Sequence, residues 1–122
     1  RLCRDWSSDV CSSDLFVLWT SADREVALHM AFMYTLNAKM REWFGVVALV
    51  VWGPSAKLLA QDEELQYHIR KIIDVGVEVF ACKACADTYG VTAELLSLGI
   101  DVKYMGQPMT EMLKDGWKTL TV

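Results

Sequence analysis

Two absences bound this sequence first. It has no apolar run near the roughly 18 residues that a membrane-spanning helix needs. Its longest candidate, residues 44–52, is the length of a strand. It also has no basic excess: 12 Lys and Arg stand against 16 Asp and Glu, a formal net charge of −4. With no basic stripe either, there is no electrostatic footprint for nucleic acid. Neither a G-x-G-x-x-G nor a G-x-x-x-x-G-K-[ST] loop is present, which excludes the two common glycine-rich phosphate cradles. The two histidines and four cysteines do not form a set of four ligands at zinc spacing. The expectation is therefore no metal, no cofactor, no nucleic-acid partner and no membrane partner. No linker, internal repeat or low-complexity segment interrupts the body, so 122 residues make one domain, large enough for a core without disulfides.

Residues 1–15 are expected to be foreign to the fold. The run from Arg4 to Leu15 is what one frame of a common sequencing-adapter DNA encodes. It is set aside as a cloning scar would be, and it is expected to be disordered; the alternative is a natural Ser/Asp-rich tail. On this reading the native start is missing, and the domain proper spans residues 16–122. The tail holds two arginines against three aspartates, so the body carries −3 of the net −4. It also holds Cys3 and Cys11, which leaves Cys82 and Cys85. Two cysteines three apart are not a secreted disulfide framework. They suit a reducing compartment, here the cytoplasm, and a redox, sulfur-transfer or metal role.

From Phe16 onward strands and helices alternate. Residues 16–19 are a short apolar run. Residues 23–40 read as a helix with almost no polar face, through Val26, Met30, Met33, Phe32, Leu36 and Met40; such a helix is covered on more than one side, which points to a homo-oligomer. Residues 46–52 form a continuous β-branched run, the mark of a strand buried on both faces of a parallel sheet. Residues 56–60 read as a short helix. Residues 62–74 are amphipathic, with Leu65, Ile69, Ile72 and Ile73 on one face. Asp62, Glu63 and Glu64 stand at the start of that helix, Arg70 and Lys71 near its end, and Gly76 is a C-terminal stop. Strands over 77–81, 100–104 and 117–121 and helices over 84–89, 92–98 and 108–114 complete the pattern; the alternating polarity of the last strand suits a sheet edge. Five strands separated by helices make a three-layer α/β/α sandwich with a mostly parallel, five-stranded sheet.

Sites in such sheets form at the carboxyl ends of the strands. Those ends bring Thr20, Ser21, Trp52, Gly53, Ser55, Gly106 and Gln107 to a candidate pocket rim. Cys82 falls where a strand ends and a helix begins. Unpaired N–H groups and the helix dipole stabilise a thiolate there, and Lys83 adds a positive charge. Cys82, Cys85 and Lys83 are thus the candidate catalytic residues, with Cys82 the more reactive thiol. Cys85, one turn on and more buried, is a resolving thiol or core. The plain alternative is that Cys82 only packs, as small apolar cysteines often do. Ser55 is read either as an N-cap or, with Gly53 and Pro54, as part of an anion site. His29 is read as a core or interface residue and His68 as structural. The Cys-x-x-Cys spacing also occurs in thioredoxin, but there it follows an early strand, so that likeness is local.

Four separated segments, 17–21, 51–59, 81–87 and 104–110, with a closing Gly116-Trp117-Lys118, resemble the DsrE/DsrF-like proteins of the sulfur-relay superfamily, in particular the small stand-alone members. The resemblance spans residues 17–122. It implies a flavodoxin-like α/β/α subunit assembled into homotrimers or hexamers. It also implies a cysteine just after the third strand that accepts sulfur as a persulfide from a donor protein and passes it to an acceptor protein; Cys82 holds that position. Cys85 is not part of the relay pattern and is typical of the stand-alone group. Two functions follow: a sulfur carrier, which makes the chain an uncertain enzyme of the sulfurtransferase type, or a non-catalytic oligomeric binding module with structural or redox-responsive cysteines.

Overall fold

The computed structural model describes residues 13–122. Five strands form one all-parallel sheet: β1 (Leu15–Trp19), β2 (Val47–Val51), β3 (Glu78–Cys82), β4 (Asp101–Lys103) and β5 (Lys118–Thr121), in the order β4-β3-β2-β1-β5. Six helices connect them. The first, α1, runs through Arg24–Val26, a π-helical stretch Ala27–Phe32, and Met33–Met40. The others are α2 (Pro54–Gln61), α3 (Glu63–Asp74), α4 (Lys83–Tyr89), α5 (Thr92–Ser97) and α6 (Gly106–Lys114).

The strand order decides the layers. From β1 to β4 the chain steps across the sheet in one direction, then returns past β1 to lay down β5. Parallel crossovers are right-handed, so steps in one direction put their helices on one face and the return step puts α6 on the other. Side chains alternate accordingly. Val17, Leu49, Val51, Val79 and Ala81 pack with Ala27, Ala31, Leu59, Leu65, Ile69 and Leu95 of the helices in the larger core. Phe16, Ala48, Val50 and Cys82 face the other way, where Met105 and the α6 residues Met109 and Met112 cover them. This is the expected α/β/α sandwich, with two layers of unequal thickness: one helix shields the second face, and Leu18, Trp52, Phe80 and Trp117 there are only half-buried.

Individual elements follow from local chemistry. All of β2 is buried, as a both-faces-covered strand requires. The α3 helix starts at the Asp62 cap, whose carboxylate accepts from the Glu64 and Leu65 N–H groups. Gly76 ends the helix region in a left-handed conformation, φ 101°, that a side chain would resist. The helix α6 begins at Gly106, two residues earlier than read, since Pro108 in a first turn has no intrahelical N–H bond to lose.

Two expectations need correction. Residues 13–15, read as part of a disordered tail, are ordered. Leu15 is a buried residue of β1 paired with Val47 and Lys118, and the Asp14 carboxylate accepts from the Val46 N–H at 2.8 Å; the rest of that tail, residues 1–12, lies outside the described residues. The 23–40 helix is covered by this chain on one side only: Ala27, Ala31, Phe32, Thr35 and Ala38 are buried, whereas Met30, Met33 and Met40 are exposed, as is Trp43 beyond its end. His29 is exposed rather than part of this chain's core. Among the described residues no helix is long and apolar enough to cross a membrane.

Candidate functional site

At the carboxyl end of β3, Cys82 is the last strand residue and also the N-cap of α4, with extended backbone, φ −71° and ψ 118°. The strand alternation turns its side chain toward the thinly covered face, where it packs in one cluster with Val50 and Met105, joined by Trp52, Phe80 and Cys85. It is 5% exposed, whereas Cys85 is half-buried. That reverses the expected order, in which Cys85 is the more buried of the two. Cys82 is buried in a cluster with Phe16, Ala48, Val50 and Met105, the last wholly buried just before α6. Nothing in the sequence marks Met105 for this, because its position depends on the crossover that carries the chain past the site.

Both cysteines are free thiols, one helical turn apart in one cluster. Burial pushes the Cys85 thiol above its ordinary pKa; the Gly53 backbone N–H pulls the other way, and Cys82 pushes it up again. Gly53 owes its place to its backbone. Its φ of 81° and ψ of −143° lie where only glycine sits without strain, and the residue both follows the β2 end and caps α2. So the β2–α2 turn stands beside the Cys-x-x-Cys segment at the β3–α4 junction of the neighbouring strand. Gly53 is expected on the rim for its place at the strand end, and its role is through its amide.

The other candidates divide. Trp52 is half-buried in the Cys82 cluster. Gly106 and Gln107 lie exposed at the start of α6, beside Met105, with the Gln107 amide on Glu111 at 3.2 Å. The Thr20 hydroxyl donates to the Val122 carbonyl at 3.0 Å. The Ser21 hydroxyl is buried with no partner among the described residues. Ser55 is neither rim nor N-cap: it is fully buried, and its hydroxyl donates to the carbonyls of Trp19 at 2.6 Å and Trp52 at 3.2 Å. It ties the carboxyl ends of β1 and β2 together instead of meeting a ligand. The Lys83 ammonium is held by Asp87 at 2.6 Å, and it lies 5.6 Å from the Tyr104 ring centroid. The Asp87 hydrogen bond and charge raise the Lys83 pKa, and Asp87 is lowered by Lys83 and by Thr92. The expected positive charge beside the thiols is therefore already paired one turn along α4. No group of three or more His, Cys, Asp or Glu is placed to hold a metal ion among the described residues.

The DsrE/DsrF-like family model matches residues 18–122. The structure superimposes on BT1422 from Bacteroides thetaiotaomicron, a conserved protein of unknown function, with a TM-score of 0.86 at 38% identity, over 90% of this chain and 95% of that one. MTH1491 from Methanobacterium thermoautotrophicum, also of unknown function, gives a TM-score of 0.74 at 18% identity over 91% and 99% of the two chains. The ychN protein of E. coli gives 0.70 at 16%, again over 91% and 99%. These last two share the fold. No curated protein matches.

Proposed function

The chain belongs to the DsrE/DsrF-like family, and from that premise we propose that it is a sulfur carrier that takes up sulfur as a persulfide on Cys82. Family membership supports a role related to sulfur relay. The finer assignment draws on one observation above all: Cys82 ends β3 inside a small apolar cluster, with a second thiol one helical turn on in the same cluster. A thiolate attacks a donor's sulfane sulfur and holds it. Burial to 5% exposure then keeps small reductants away from the bound sulfur, which an open surface thiol would not do. Gly106, Gln107 and Trp52 border the approach. Sulfur donor and acceptor proteins are the implied partners, and self-association into a homotrimer or hexamer is favoured by the exposed Met30, Met33, Met40 and Trp43 and by the single-helix cover of the second sheet face.

The test is mass spectrometry for an added sulfur after mixing with a persulfide-charged sulfurtransferase. Loading that is lost in Cys82→Ser is the expected result. Loading that survives in Cys82→Ser, or is absent from every variant, would move the cysteines to a structural or redox-responsive role in a non-catalytic module.

A further inference from the structure

We propose that Cys85 resolves the sulfur held on Cys82, so that the chain discharges its cargo as sulfide and is left with a Cys82–Cys85 disulfide. The proposal rests on the carrier reading above and adds a second chemical step to it. The observation that carries it is the juxtaposition of the two thiols at the β3–α4 junction. Both are free, both belong to one cluster with Trp52 and Met105, and Cys85 lies in the first turn of the helix that Cys82 caps. A simple carrier needs one thiol. A second one at this place shortens the life of any persulfide on the first.

The step balances without an outside oxidant. The Cys85 thiolate attacks Cys82 Sγ, the inner sulfur of the persulfide. The bond between Cys82 Sγ and the terminal sulfur breaks as the bond between Cys82 Sγ and Cys85 Sγ forms. The terminal sulfur leaves with the electron pair as hydrosulfide and takes up the proton that Cys85 gave up. The sulfane sulfur is reduced by two electrons, and the two thiols are oxidised by two. The difference in exposure fits the roles: Cys82 is shielded, and the half-buried Cys85 is the sulfur that a reductant can reach afterwards. Repeated turnover then requires a dithiol reductant to reopen the disulfide and a reaction that consumes sulfide rather than a persulfide acceptor.

The experiment is a single anaerobic turnover of the full chain with a stoichiometric, persulfide-charged sulfurtransferase, following released sulfide, added sulfur and disulfide together. Wild type is expected to release sulfide in an amount equal to the protein and to end two hydrogens lighter, whereas Cys85→Ser and Cys85→Ala keep the added sulfur on Cys82 and release none. If wild type holds its persulfide as long as both Cys85 variants do, the resolving step is overturned and the carrier reading stands. If none of the proteins gains sulfur or yields sulfide, both fall. If Cys82→Ser gains sulfur on Cys85, the assigned order of the two thiols is overturned. Two Cys85 variants guard against misfolding of one.

Discussion

The Ser55 hydroxyl donates to the Trp19 carbonyl at 2.6 Å across 36 positions of sequence. Ser55 is fully buried, so this bond ties the first turn of α2 to the end of β1 in a place water does not reach. Ser55→Ala removes the donor and is expected to cost about 1–2 kcal/mol in urea denaturation. A neutral change would show that the Trp52 N–H, which also reaches the Trp19 carbonyl at 3.1 Å, suffices there.

Asp62 serves two partners, the α3 N-terminus and Arg24. Burial pushes its carboxyl up, but the bonds from Arg24 and Leu65 and the Arg24 charge together bring it below the ordinary range. Asp62→Ala loses cap and ion pair, and about 1–2 kcal/mol of stability is expected to go. Asp62→Asn keeps a good cap and loses only the charge, so it should cost under about 1 kcal/mol for so exposed a pair. A carboxyl with a lowered folded pKa stabilises above its unfolded value, near 3.9, and that stability is lost as pH falls through the folded value. The gap between wild type and Asp62→Asn should therefore close below about pH 4; a gap unchanged at pH 3 would refute the assignment.

Cys85 is expected to alkylate with a pH midpoint above that of a free cysteine, because burial and Cys82 outweigh the Gly53 N–H. Replacing Cys82 with Ser removes the second thiol's charge and should lower the midpoint. The sign for stability is the reverse of the Asp62 case. The folded state holds the Cys85 proton more tightly, so the contribution is present below the ordinary thiol range and is lost as pH rises through the raised value. Alkylation rates followed by peptide mass spectrometry from pH 7 to 10 decide it.

Light scattering at micromolar concentration should report a trimer or hexamer, and Met33→Glu with Met40→Glu should shift it toward monomer, since both side chains are exposed on α1. Wild type that stays monomeric would require another explanation for so much uncovered apolar surface.

Trimming residues 13–15 in addition to 1–12 is expected to lower stability by roughly 2 kcal/mol or more relative to trimming 1–12 alone. Leu15 is 3% exposed and Asp14 bonds to Val46. An unchanged melting temperature would show that residues 13–15 add nothing to the fold.

Local chemistry was legible in the sequence where it is local in space. The unbroken run at β2, the Asp62 cap and the amphipathic face of Leu65, Ile69 and Ile72 all appear in the structure as read, as does Cys82 at a strand–helix junction. The edge position of β5 was visible in its alternating polarity. What could not be read depends on elements meeting from far along the chain. Cys82 is buried in a cluster that Met105 joins from a distant stretch of chain, and Gly53 comes near the cysteine segment because β2 and β3 are neighbours. Lys83 is the opposite case: Asp87 stands four residues away on the same helix, at the spacing where opposite charges pair, and that signal was there to be used.

The place of β1 between β2 and β5 imposes an order in time. One side of β1 pairs with β2, which leaves the ribosome soon after it. The other side pairs with β5, through Leu15 opposite Lys118 and Val17 opposite Leu120, and β5 is synthesised only after every other element. Until then a nascent chain carries an unpaired, apolar strand edge, the kind of surface that recruits a second chain into the wrong sheet. Closing so distant a pair is also slow. This protein's yield on synthesis should thus depend on how well that edge is shielded by a chaperone, or how briefly it is left open by fast elongation, more than on the stability of the finished fold.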